Sequence, residues 1–220
     1  MKKKYEAVLF DLDGTLVDSF AFHSEATYRF LTSKGFQVSR KQVRRNIGNT
    51  IEYVLRGCLV PEIFWNEIIR EFDNYYVVHA EALLDQVFFE PGGLEVLNQL
   101  KKAKIRTGIV TNSKQALTEE IISRNHAGAL FDIVSGAEED SLNKESRCQK
   151  VLTDLGVSAD RTLYVGDTGY DVRLARKCGM DICILSHKIG WEKDYSTFRT
   201  AYQPDYMAGS LMEFAGFIAY

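Results

Sequence analysis

The chain has 220 residues, of which 45% are hydrophobic and 26% charged, and it carries a formal net charge of −3. Such a length supports one large domain or a core bearing a smaller one, and burial of about 70–75% of the unfolded surface makes a disulfide scaffold unnecessary. The weak negative balance excludes a broad basic field for nucleic acid, and no segment is long and apolar enough to span a bilayer.

Taken in chain order, the first strand is expected over Glu6–Phe10. The lysines of Met1–Lys4 look like the opening of a signal peptide, but the run Ala7-Val8-Leu9-Phe10 is too short for one and stops at Asp11. A soluble, cytoplasmic protein is expected. From Ser19 to Phe88 the patterns are helical: one helix over Ser19–Lys34, and short ones over Ser39–Asn46 and Thr50–Gly57. A longer helix starts at Pro61 and carries Ile63, Phe64, Ile68, Phe72, Tyr76 and Leu83. The aromatic residues near Tyr75 read as the core of this bundle.

Strand–helix alternation resumes near Pro91-Gly92. Strands are expected over Ile105–Thr111, Phe131–Val134, Thr162–Val165, Ile182–Leu185 and Tyr206–Ala208. Helix faces are set by Leu94, Leu97 and Leu100, then by Val151 and Leu155, then by Leu211, Phe214, Ala215 and Ile218. This order predicts an α/β fold, a three-layer doubly wound parallel sheet made of residues 1–17 and 89–220, with a helical insertion over 18–88. The four cysteines, Cys58, Cys148, Cys178 and Cys183, form no CxxC pair and are expected to be packed free thiols.

Three polar clusters follow directly after expected strands: Asp11-Leu12-Asp13-Gly14-Thr15, Thr111-Asn112-Ser113, and Gly166-Asp167-Thr168-Gly169-Tyr170-Asp171. Taken alone, each also reads as an ordinary turn or helix cap. In an open parallel sheet, however, the carboxyl ends of the strands line one ligand-binding crevice, so the three would meet there. Crowding Asp11, Asp13, Asp167 and Asp171 together is costly unless a cation sits among them, and hard oxygen ligands favour Mg2+. A carboxylate can act as a nucleophile toward phosphorus, and a second one two residues on can shuttle the proton.

Asp11-Leu12-Asp13-Gly14-Thr15-Leu16-Val17-Asp18-Ser19 resembles the first motif of the haloacid dehalogenase superfamily in its phosphatase form, closest in wording to phosphoglycolate phosphatases and beta-phosphoglucomutases. The resemblance covers essentially the whole chain and identifies the helical insertion with the family's cap. It implies that Asp11 is nucleophile and metal ligand, and that Asp13 is the general acid and base with its carbonyl on the metal. It gives Thr111 and the Asn112 amide the transferring phosphoryl group, Asp167 the metal, and Asp171 the metal waters or the lysine. Lys144 is the best match to the family's lysine, although Asn143-Lys144-Glu145 departs from the frequent Lys-Pro, and the acidic run Glu138-Glu139-Asp140 lies just upstream. The other reading of Lys144 is a solvated residue at a helix start.

In the cap, His23 falls where some relatives have a histidine at the cap's base, and a packed or hinge histidine fits equally. Arg44 and Arg45 precede Gly48 and either approach an anionic substrate or form a solvated face, Arg45 being the candidate contact. The implied activity is Mg2+-dependent hydrolysis of a small phosphorylated metabolite, of phosphoglycolate or sugar-phosphate type, by a monomer or homodimer. A phosphomutase would use the same intermediate and return the phosphate to a second hydroxyl. A non-catalytic metabolite- or partner-binding protein is the rival from another class.

Overall fold

The computed structural model describes residues 5–48, 51–79, 81–138, 142–192 and 194–218, without the side chains of residues 73, 76–79, 81 and 82. The expected roles of Thr50, Glu139, Asp140 and the Tyr76 side chain lie outside the described residues.

Among the described residues, the elements run β1 (Ala7–Phe10), β2 (Val17–Asp18), α1 (Phe20–Ser33), α2 (Arg40–Asn46), α3 (Ile51–Gly57), α4 (Trp65–His79), α5 (Glu81–Leu84) and β3 (Phe88–Phe89). They continue with α6 (Gly93–Lys102), β4 (Arg106–Lys114), α7 (Gln115–Arg124), β5 (Ile133–Ala137), α8 (Lys144–Leu155), β6 (Thr162–Gly166) and α9 (Gly169–Cys178). The chain closes with β7 (Asp181–Leu185), α10 (Phe198–Tyr202), β8 (Tyr206–Ala208) and α11 (Leu211–Ile218).

Six strands form one sheet in the order β5-β4-β1-β6-β7-β8, and every pairing in it is parallel. Strand β1 is fully buried because both its faces are covered. Leu9 joins Val110, Tyr164 and Ile182 against Cys148 and Val151 of α8 and Val172 and Ala175 of α9. Phe10 points the other way and meets Phe214 of α11 edge-on at 5.9 Å between ring centroids. The alternation of one four-residue strand thus builds two helical layers around the sheet.

The chain divides into two compact units, Met1–Asp18 with Phe88–Tyr220, and Ser19–Val87. The second unit has its own core, in which Phe30, Leu31, Val43, Val54, Leu55 and Ile68 are buried. Phe30 meets Phe72 and Tyr75, each at 5.1 Å. At the point of insertion β2 and β3 pair antiparallel, Val17 opposite Phe89 and Asp18 opposite Phe88.

The sequence expectations differ from the structure in several places. The helix expected from Pro61 is divided: Pro61 is extended and caps a single 3-10 turn, Glu62–Phe64, before α4 begins, which leaves Ile63 86% exposed. In α6 the buried face is Gly93, Val96, Leu97 and Leu100, so Leu94 lies off it. Strand β4 runs beyond Thr111 to Lys114 through a register shift after Val110. Cys58, Cys148 and Cys183 are buried and Cys178 is partly exposed, all four as free thiols.

Candidate active site

The three central strands deliver the polar clusters to one end of the sheet. Asp11 and Asp13 follow β1, Thr111 lies in β4, and Asp167 follows β6, the two strands that flank β1. The Asp11 amide continues the ladder by donating to the Val165 carbonyl at 2.9 Å, which fixes the start of the turn. Gly14 then takes a left-handed φ of 75°. A Cβ there would lie 2.5 Å from Asp167 Oδ2, so glycine is required by conformation and by space alike.

Lys144 opens α8, whose first turn is capped by the Asn143 side chain accepting from the Ser146 amide at 2.9 Å. Its ammonium is 3% exposed and donates to Asp11 Oδ1 at 2.8 Å and to Asp171 Oδ1 at 3.3 Å. The solvated reading of this lysine is therefore excluded. Burial works against its charge, yet Asp11, Tyr164 and Asp171 together hold its pKa well above the ordinary lysine value.

Asp171 serves two neighbours at once. Its Oδ1 faces Lys144, while Oδ2 accepts from the Thr168 amide at 3.1 Å and the Thr168 hydroxyl at 2.8 Å. Asp167 accepts from the Thr15 hydroxyl at 3.2 Å and from the Trp191 amide, and its carbonyl accepts from the Tyr195 hydroxyl at 2.8 Å.

Carboxylate oxygens of Asp11, Asp167 and Asp171 lie within 4.8 Å of one another. Burial pushes the Asp11 carboxyl up to about 7, with Asp171 and Asp13 adding to the shift and Lys144 opposing it. Burial, followed by Asp171 and Asp11, likewise holds Asp167 well above the usual carboxylate range. Three hard oxygen donors that repel one another in a dry site fit a small divalent cation, which would remove the repulsion. The Asp13 carboxyl stands outside this trio and accepts a short hydrogen bond from the Ser113 hydroxyl.

Thr111 is 1% exposed, and its hydroxyl oxygen accepts from the Ser113 amide at 3.1 Å. Its own hydrogen is thus directed elsewhere, available to an oxyanion. Asn112 is exposed at the strand end. Buried Arg147 donates to the carbonyls of Thr111 at 2.7 Å and Ser135 at 2.9 Å, and reaches Asn112 Oδ1 at 3.3 Å and the Leu142 carbonyl at 3.2 Å. It ties the ends of β4 and β5 to α8.

His23 and Arg45 belong to the helical unit. His23 is 9% exposed and packs edge-on against Phe22 at 4.9 Å. Arg45 is exposed on α2, and its neighbour Arg44 stacks over Phe20 at 4.9 Å. Sequence reasoning gave no role to Ser113, Arg147, His187, Trp191 or Tyr195. Ser113 alone carried a signal, by standing in a strand-end cluster; the others bind backbone or reach the site from the segment after β7.

The family model for haloacid dehalogenase-like hydrolases matches residues 8–185, from β1 to the end of β7. The chain belongs to this family. The hydrolase is 26% identical over 222 residues to a phosphoglycolate phosphatase of Nitrosococcus oceani, covering 97% of this chain and 96% of that one. It is 27% identical to another from Rhodospirillum rubrum over 96% of this chain and 91% of the relative. Among solved structures, a haloacid dehalogenase-like hydrolase from Streptococcus pneumoniae superposes with a TM-score of 0.83 at 22% identity, covering 99% of each chain. No described helix of the hydrolase is long and apolar enough to cross a membrane.

Proposed function

We propose that this hydrolase is a Mg2+-dependent phosphatase that cleaves a small organic phosphate monoester through an aspartyl-phosphate at Asp11. The observation that carries the reading is the Lys144–Asp11 contact of 2.8 Å beside the Asp167 and Asp171 carboxylates, at the carboxyl end of the central strand. Asp11, Asp167 and Asp171, with the Asp13 carbonyl, would hold Mg2+, which supplies positive charge to a phosphoryl group approaching an anionic nucleophile.

The steps fall to the chain's own residues. An Asp11 carboxylate oxygen forms a bond to phosphorus as the ester oxygen leaves, and Asp13 gives that oxygen a proton. Asp13, now a carboxylate, takes a proton from water as the water oxygen attacks the phosphorus of the acyl phosphate. Inorganic phosphate departs and Asp11 is restored. Lys144 keeps Asp11 oriented and offsets its charge, Ser113 aims the Asp13 carboxyl, and the Thr111 hydroxyl with the Asn112 amide binds the phosphoryl oxygens. The phosphoglycolate phosphatases among the relatives support a short substrate of phosphoglycolate or sugar-phosphate type. In this reading the unit inserted between β2 and β3 is the cap that selects the substrate, with His23 and Arg45 as its candidate contacts.

The test is phosphate release from a panel of phosphomonoesters with Mg2+ and with EDTA, for the parent and for Asp11→Asn. Turnover that needs Mg2+ and disappears in Asp11→Asn is expected. Undiminished turnover in the variant would overturn the covalent route.

A further inference from the structure

We infer that His187, braced by Glu90, is a positioning residue that holds the Asp13-Gly14-Thr15 turn in its working shape. The inference rests on the role given to Asp13 under the phosphatase reading.

His187 lies two residues past the end of β7, and its side chain is only 4% exposed. Its Nε2 stands 2.7 Å from the Gly14 carbonyl oxygen. A carbonyl only accepts, so Nε2 carries the hydrogen and donates it. That assignment leaves Nδ1 facing Glu90 Oε1 at 3.6 Å, with the Glu90 side chain 10% exposed. Nδ1 and Glu90 Oε2 are both buried without a hydrogen-bond partner. Leaving a polar atom buried and unpaired destabilises the fold, a cost that a ring present only for packing would not carry. Burial also pushes the Glu90 carboxyl up, with His187 pulling it back.

The pair is joined to the turn at a second point. The Glu90 amide donates to the Leu16 carbonyl at 2.8 Å, while the Gly14 amide donates to the Val17 carbonyl at 3.0 Å. Residues 13–17 are therefore held by His187 from the end of β7 and by Glu90 from the end of β3. The turn has no slack on its other side, since Gly14 abuts Asp167 and the Trp191 ring. A shift of the Gly14 carbonyl would carry with it the turn on which the Asp13 carboxyl and the Thr15 hydroxyl sit, and the His187 donor opposes that shift. The ring touches no reacting atom, so its contribution acts through the turn.

The experiment compares His187→Gln with His187→Asn, two polar side chains of which only the first reaches the position of Nε2. Steady-state kinetics and hydrogen–deuterium exchange of the peptide spanning residues 11–18 are measured on both, with thermal melts to establish folding. His187→Gln is expected to keep kcat within about threefold of the parent, while His187→Asn loses roughly ten- to a hundredfold in kcat with little change in KM, as for a misplaced catalytic group. Exchange over residues 11–18 should speed up in the Asn variant and not in the Gln variant. Equal kcat and equal exchange in the two variants would overturn the inference, as would a loss confined to KM. Exchange is read without substrate, so a parent inactive on every phosphomonoester would refute the phosphatase reading while the exchange comparison still decides the role of His187.

Discussion

Asp11 is expected to work as a nucleophile from a position that costs the metal-free fold stability. Its carboxyl is raised from 3.8 to about 7, chiefly by burial. A carboxyl whose folded pKa exceeds its unfolded value binds more protons in the native state between those two values. Its contribution to stability is complete below pH 3.8 and is lost as pH rises through about 7. In EDTA at pH 8, Asp11→Asn should therefore melt at a higher temperature than the parent, and the gap should close towards pH 4. A parent that melts higher at pH 8 would contradict this. Asp11, Asp13, Thr111, Asp167 and Asp171 could be picked out as candidates because strand-end placement needs only local pattern, whereas Lys144, which opens a helix, was suggested only by the family resemblance. His187 and Arg147 were not, because they act on backbone carbonyls, which every residue supplies and no motif marks.

At the scale of elements, the six sheet strands could be read because buried apolar runs bounded by polar residues are a strong signal, as in Ala7–Phe10 and Asp181–Leu185. The β2–β3 pair escaped because two residues per strand leave no periodicity. The extension of β4 through Asn112 and Ser113 escaped for a different reason: its sequence is polar, and what holds it is the Arg147 guanidinium on α8. That dependence can be tested. Arg147→Met should leave the Thr111 and Ser135 carbonyls without this donor and cost about 2–4 kcal/mol of stability, read from urea unfolding. Phosphatase turnover should fall as well, because the Thr111 hydroxyl sits on the same short segment. Arg147→Lys should recover little of either, since one ammonium cannot span acceptors on β4, β5 and the segment before α8. Full stability in the Met variant would show that the guanidinium is dispensable.

For the whole molecule, the insertion point has a simple geometry. Asp18 and Phe88 are paired neighbours, so the sheet unit's two chain ends meet where the helical unit departs. Replacing residues 19–87 with a short flexible linker should leave a sheet unit that melts cooperatively and keeps its strand and helix signature in circular dichroism. A molten product would mean that the sheet unit needs the helical one to fold. The helical unit is a single run of chain, whereas the sheet is not: Ala7 pairs with both Arg106 and Thr162. During synthesis β1 is made before both of its neighbours and must wait for β6, Thr162–Gly166, before the second of them exists. The helical unit can complete its core in that interval from local contacts, whereas the sheet closes late and slowly. The strand that leads into Asp11 is thus made ahead of the partners on both its sides and is among the last elements to find its place.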